Sequence, residues 1–178
     1  LQAASTKWNF INFSPGLVGG HCISIDPYYL SYLAKKNNLN SDVILTGRKL
    51  NNFMPKYYAV KIFEELKKNN FNIYTAKILI LGFAFKENCS DFRNTKVLDL
   101  YKYLKKKVNN VAIHDPYVSA KTVKKEFKIK IHNKLDNLKE FDVIFLAIKH
   151  GYYKKIGKRK ILKLGKKNPI YINIKNFL

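Results

Sequence analysis

The apolar positions of this 178-residue chain change their period near residue 76. Up to that point the spacing predicts helices. Leu1 to Lys7 reads as a helix end. Asp26-Pro27-Tyr28-Tyr29-Leu30 reads as a helix start, with Asp26 as side-chain N-cap and Pro27 at the first helical position, and this helix stops near Asn37 to Asn40. A longer helix is expected from Ser41 through Val60, Ile62, Phe63 and Leu66 to Lys68, with Pro55 placed to kink or divide it. From Lys77 the pattern becomes Ile78-Leu79-Ile80-Leu81-Gly82-Phe83, a continuous apolar run that suits a strand buried on both faces. Alternation follows: a helix marked by Val97 to Leu104, a strand at Val111 to His114, a helix at Ser119 to Phe127, and a short strand at Ile129 to Ile131. A strand at Val143 to Ile148, a helix at Tyr153 to Leu164 and a last strand at Ile170 to Ile174 complete it. Strands separated by helices predict an α/β fold: a central helical segment (residues 1–75) followed by a Rossmann-like domain (residues 76–178) with a parallel sheet covered on both faces.

In open parallel sheets ligands bind where connections leave the carboxyl ends of the strands. The loops after Phe83, His114 and Ile148 are therefore the informative ones. The first lacks the G-x-G-x-x-G pattern that brings a pyrophosphate onto backbone amides. That makes the domain a poor candidate for conventional dinucleotide binding, although Lys86 and Arg93 in this loop are suited to grip phosphates.

The stretch with the most chemistry is Ser14-Pro15-Gly16-Leu17-Val18-Gly19-Gly20-His21-Cys22-Ile23. Its glycines allow close approach of backbone to a ligand and lead into a helix whose N-terminal dipole favours a thiolate. A lone cysteine is ordinarily a small buried apolar residue; the glycine loop and helix start turn the reading of Cys22 toward a nucleophile. Asp26 is a natural N-cap and can also hold or deprotonate a water near the thiol. His21 is disfavoured as the base for Cys22, because adjacent residues in extended chain point apart. Cys89, with Glu87 and Asp91 close by in sequence, reads as structural.

The formal charge of +22 raises nucleic acid as a partner, but the composition argues against it. Of the basic residues 31 are Lys and three are Arg, beside 19 Asn and 18 Ile, a bias that A/T-rich codons produce. A reader of bases favours Arg, and the Lys residues fall on polar faces of amphipathic segments. Neither nucleic acid nor a membrane is expected as partner: no apolar run reaches about 18 residues, and no signal-peptide pattern opens the chain. Two distant Cys suggest neither a disulfide framework nor a metal site, hence a reducing, cytoplasmic setting. The start at Leu1 without Met suggests a piece of a longer protein.

Two long motifs carry a resemblance. Thr6-Lys7-Trp8-Asn9-Phe10 with Pro15 to Ile23 and Asp26-Pro27-Tyr28-Tyr29-Leu30 resembles the catalytic cysteine segment of the UDP-glucose/GDP-mannose dehydrogenase family. The His before the Cys resembles the branch acting on UDP-N-acetylglucosamine or UDP-N-acetylgalactosamine for surface polysaccharides. Gly82 to Val97, and His114-Asp115-Pro116, are similar to the family's UDP-binding domain. The resemblance implies Cys22 as nucleophile and Asp26 as its assistant, Gly19 and Gly20 lining the sugar, Phe85 and Lys86 at the sugar and diphosphate, and Arg93 near the pyrophosphate of NAD. It also implies oxidation of the sugar C6 alcohol to a carboxylate with two NAD, and a homodimer through the helix containing Met54 to Leu66. The departures are the missing NAD domain and the missing helix that supplies a Lys and an Asn, together with Ser14 in place of a basic residue and Asn52 in place of Asp. With these parts missing, the chain alone is expected to be inactive. The alternative is a non-catalytic module binding nucleotide-sugar or polyanion.

Overall fold

A computed structural model describes residues 2–11 and 16–174; Ser14 and Pro15 lie outside the described residues. Among the described residues two α-helices, α1 (Cys22–Lys36) and α2 (Asp42–Lys68), precede four strands and four further α-helices: β1 (Lys77–Leu81), α3 (Lys96–Lys105), β2 (Asn110–His114), α4 (Ala120–Phe127), β3 (Phe141–Leu146), α5 (Gly151–Ile156), α6 (Lys158–Leu162) and β4 (Gly165–Asn173). The strands form one parallel sheet in the order β2-β1-β3-β4.

Alternation along each strand sorts its apolar side chains onto two faces. Ile78 and Ile80 of β1, with Val143 and Phe145 of β3, pack in one core with Ala59, Ile62 and Leu66 of α2 and Val97, Leu100 and Leu104 of α3. Leu79, Leu81, Ile144 and Leu146 pack on the other face against Tyr153 and Ile161. The carboxyl half of α2 thus shares the core of the sheet, and Pro55 sits buried inside an unbroken helix. The caps are local: Thr95 Oγ1 accepts from the Val97 amide before α3, and Ser119 Oγ from the Thr122 amide before α4.

The structure differs from the sequence reading at several ends. Of the stretch read as a helix end, the described residues 2–7 contain a single 3₁₀ turn, Ala4–Thr6. The helix read from Asp26 begins one turn earlier, at Cys22, with His21 as N-cap and Pro27 inside. Pro27 withholds the amide that would bond the Ile23 carbonyl, a defect that remains within the first two turns. Ile129 to Ile131 is not a strand; Ile129 and Ile131 are buried, and only His132 bridges His114. The helix read at Tyr153 to Leu164 begins at Gly151 and is divided at Gly157, whose φ of +81° no helix accepts. Gly82, at φ +94°, likewise ends β1 before Phe83.

His114 ends β2 fully buried, its Nδ1 3.0 Å from the Tyr153 hydroxyl. Burial, opposed by the neighbouring Asp115 charge, lowers its pKa from 6.5 to about 4. The unfolded chain therefore takes up this proton first, so stability is full above pH 6.5 and falls as the pH drops toward 4, by up to roughly 3 kcal/mol. Thermal midpoints measured between pH 7 and 4.5 should decline, and His114→Phe should flatten that slope.

Candidate functional site

The three loops leaving the carboxyl ends of β1, β2 and β3 are tied together by one carboxylate. Asp115 is fully buried. Its Oδ2 accepts from the Phe83 and Ala84 amides at 2.6 and 3.0 Å and lies 3.0 Å from His150 Nε2. Its Oδ1 accepts from the Tyr117 and Val118 amides. Burial alone would raise the Asp115 pKa, but the His150 bond and the Phe83 and Ala84 amides outweigh it and hold it at about 2. The Asn88 amide donates to His150 Nδ1 at 2.9 Å, so that nitrogen carries the lone pair and Nε2 carries the proton given to Asp115. Asn88 Oδ1 in turn accepts from the Gly151 amide. The Phe85 to Asn88 segment is thereby fixed over the end of the sheet.

This anchored loop carries Phe85, half-buried, and Lys86, exposed, with Lys86 Nζ 5.4 Å from the Phe85 ring centroid. Among the described residues no carboxylate pairs with Lys86. Cys89 is half-buried and directs its sulfur toward the Lys86 and Asp91 carbonyls at 3.6 and 3.7 Å. Both contacts are internal to the loop, consistent with the structural role read for it.

The glycine loop lies across this segment. The Gly20 amide donates to the Arg93 carbonyl, Asn94 Nδ2 to the Gly20 carbonyl, and Asn51 Nδ2 of α2 to the Val18 carbonyl. Gly19 and Gly20 are buried: a Cβ on Gly19 would stand 2.5 Å from Asn94 O, and one on Gly20, at φ +95°, 2.9 Å from the Phe85 ring. Gly19→Ala should therefore push the loop off the Asn94 backbone and lower stability by about 2 kcal/mol or more, measured by urea unfolding. Gly47→Ala, inside α2 with nothing within 4 Å of the new Cβ, should instead be stabilising by about 0.5–1 kcal/mol and serves as the contrast.

Cys22 stands exposed as the first residue of α1, and Asp26 is exposed one turn on. Both line a groove of about 670 Å³ between α1 and α2, with Ile23, Leu30, Val43 and Arg48 among its walls. Gly19, Phe85 and Lys86 line a second cavity of about 180 Å³ with Leu17, Ile148 and Lys149. Ile23 belongs to both. The two cavities adjoin, so Cys22 and Lys86 do not share one cleft.

Arg93 is exposed and folded onto Asp91, with Nε 2.9 Å and Nη2 2.6 Å from Oδ2. The Arg93 side chain and amide hold the Asp91 carboxyl below its usual range. The bond to Asp91 raises the Arg93 pKa. No group of three or more His, Cys, Asp or Glu suited to a metal ion occurs among the described residues, and no described helix is long and apolar enough to cross a membrane.

Sequence reasoning located the three loops but not the Asp115–His150–Asn88 network that joins them. The signal available was an Asp directly after one strand and a His shortly after another, both at the sheet end where loops converge. Arg48 was missed as well, because a single Arg on an amphipathic helix reads as surface.

The chain belongs to the UDP-glucose/GDP-mannose dehydrogenase family. Residues 79–178 match its UDP binding domain and residues 1–53 its central domain. Along its whole length the chain is 39% identical to UDP-N-acetyl-D-glucosamine 6-dehydrogenase of Salmonella typhi and 40% identical to the protein of that name from Pseudomonas aeruginosa, spanning 42% of each. Its structure is similar to that of UDP-D-ManNAc dehydrogenase from Pyrococcus horikoshii, with a TM-score of 0.83 at 30% identity, over 99% of this chain and 40% of that one. The NDP-N-acetyl-D-galactosaminuronic acid dehydrogenase of Methanosarcina mazei Go1 gives 0.81 at 26% identity, over 96% and 36%.

Proposed function

We propose that this chain supplies the nucleophile and the UDP-sugar contacts of an NAD-dependent 6-dehydrogenase acting on a UDP-N-acetylhexosamine, whose product serves surface polysaccharide synthesis. The observation that carries the reading is the placement of an exposed thiol at a helix start beside a loop whose lysine forms no ion pair among the described residues. Similarity over the whole chain to UDP-N-acetyl-D-glucosamine 6-dehydrogenases supports it.

In this reading Lys86 neutralises the diphosphate as a point charge and Phe85 packs on the sugar. Gly19, on the wall of the Lys86 cavity, and Gly20, packed behind the Phe85 ring, line the sugar with backbone. Cys22 Sγ adds to the C6 aldehyde and holds the carbon covalently, first as a thiohemiacetal and after oxidation as a thioester. Asp26 orients and helps deprotonate the water that adds to the thioester; the S–C bond then breaks, freeing the carboxylate and the thiolate.

The cofactor implied is NAD, which when bound accepts the electrons of both oxidations. The turn after β1 does not fit a dinucleotide: Gly82 is packed against Ile148, and the next helix starts only at Lys96. Arg93 is the residue of this chain proposed to reach the pyrophosphate. With no cradle for NAD among the described residues, the chain alone is expected to form no NADH from a UDP-N-acetylhexosamine and NAD, monitored by absorbance; turnover at enzyme-like rates would refute this.

The dimer is proposed through α1 and α2. Tyr29, Tyr32 and Leu33 of α1, and Val43, Leu50 and Phe53 of α2, are large apolar residues left exposed, more than a monomer commonly shows on two helices. The inward face of the Met54 to Leu66 stretch is spent on the chain's own core. Two unpaired cysteines accord with a cytoplasmic setting.

A further inference from the structure

Arg48 is the one buried cation among the described residues of the helical segment. It is 8% exposed, and its Nε has no hydrogen-bond partner. Among the described residues no carboxylate forms an ion pair with it. A buried donor of a charged group left without an acceptor is unfavourable, and an anion bound beside it would relieve that cost. Arg48 lines the groove between α1 and α2 together with Cys22 and Asp26. The groove is open beside it, because a Cβ on the adjacent Gly47 would meet nothing within 4 Å.

We propose that this groove is a carboxylate-binding site in which Arg48 holds the anionic group of a small molecule next to the Cys22 sulfur. A single planar guanidinium matches a carboxylate through two parallel hydrogen bonds. A diphosphate would bring more negative charge than one cation offsets, and would face Asp26 on the same wall. Ile23, Pro27, Leu30, Val43 and Ile44 give the rest of the groove apolar walls that offer no competing charge. The inference deepens the function proposed above and rests on it for the identity of the ligand: the carboxylate is the C6 acid released from the thioester, which Arg48 draws away from the sulfur.

The test uses two alkylating agents that differ in charge. Iodoacetate and iodoacetamide each form an S–C bond with loss of iodide, and peptide mass spectrometry separates Cys22 from Cys89. The ratio of the iodoacetate to the iodoacetamide rate at Cys22 should exceed that at Cys89 by about tenfold, the strength of a charge-assisted bond. Cys89 corrects for the general attraction of a +22 chain. Arg48→Met should abolish the excess while the iodoacetamide rate stays within about twofold. In the unaltered protein, acetate should protect Cys22 from iodoacetate more than chloride at the same ionic strength, without slowing iodoacetamide; this arm decides should Arg48→Met disturb the fold. Equal ratios at the two cysteines, or an excess that survives Arg48→Met with acetate no better than chloride, would overturn the proposal. An excess that survives Arg48→Met but falls in Arg93→Met would assign the charge to Arg93 and also overturn it. UDP-sugar binding is read separately, so a failure here leaves the Lys86 reading intact and the reverse also holds.

Discussion

Asp115→Ala should lower the unfolding free energy by on the order of 3–5 kcal/mol, since each buried donor left without an acceptor costs about 1–3 kcal/mol. Five donors converge on this carboxylate, four backbone amides and His150 Nε2, and alanine leaves all but the part-buried Tyr117 amide buried without an acceptor. The damage is not local. Phe83 and Ala84 follow β1, Tyr117 and Val118 follow β2, and His150 follows β3, so the three loops lose their common anchor together. Asp115→Asn should lose less, since its amide oxygen still accepts, but its NH₂ group then confronts N–H donors. Urea unfolding measures both. A loss below 1 kcal/mol for the alanine variant would mean that the network is incidental to stability. A loss of stability with an intact Lys86 site would mean that the loop does not depend on the anchor for its shape.

The second large effect is on ligand. Lys86→Ala should weaken binding of a UDP-N-acetylhexosamine by roughly 10- to 100-fold, the equivalent of one or two charge-assisted hydrogen bonds. Lys86 is exposed, forms no ion pair among the described residues and is carried on a loop that Asn88 and His150 hold in place. Arg93→Ala should matter less, because the Arg93 fork is already occupied by Asp91. Titration calorimetry with the isolated chain reads both variants. Equal affinity for the wild type and Lys86→Ala would remove Lys86 from the diphosphate site.

Much of the architecture was legible from apolar spacing. The runs Ile78 to Leu81 and Val143 to Leu146 are apolar because both sides of each strand are covered, and no exposed position interrupts them. The ends were harder to read, since they depend on contacts distant in sequence. Asp26-Pro27 carries a valid local start signal, yet the helix begins at Cys22 because Gly20 is held by Arg93 and Asn94, more than 70 residues away. Gly157 divides a helix whose apolar periodicity is continuous across it. The site was half legible. The glycine loop, Cys22 and Lys86 were apparent as motifs, whereas the roles of Asp115, His150 and Arg48 depend on which loops and helices meet, and no local pattern encodes that.

The central claim is that Cys22 and the Lys86 loop serve one bound sugar although they line adjoining cavities. The most direct measurement is the rate of iodoacetamide alkylation at Cys22, with and without a saturating UDP-N-acetylhexosamine. The account predicts that the ligand slows Cys22 several-fold in the wild type, leaves Cys89 unchanged, and protects Cys22 in Lys86→Ala only at concentrations roughly 10- to 100-fold higher. An alkylation rate at Cys22 unmoved by ligand that calorimetry shows to be bound would contradict it.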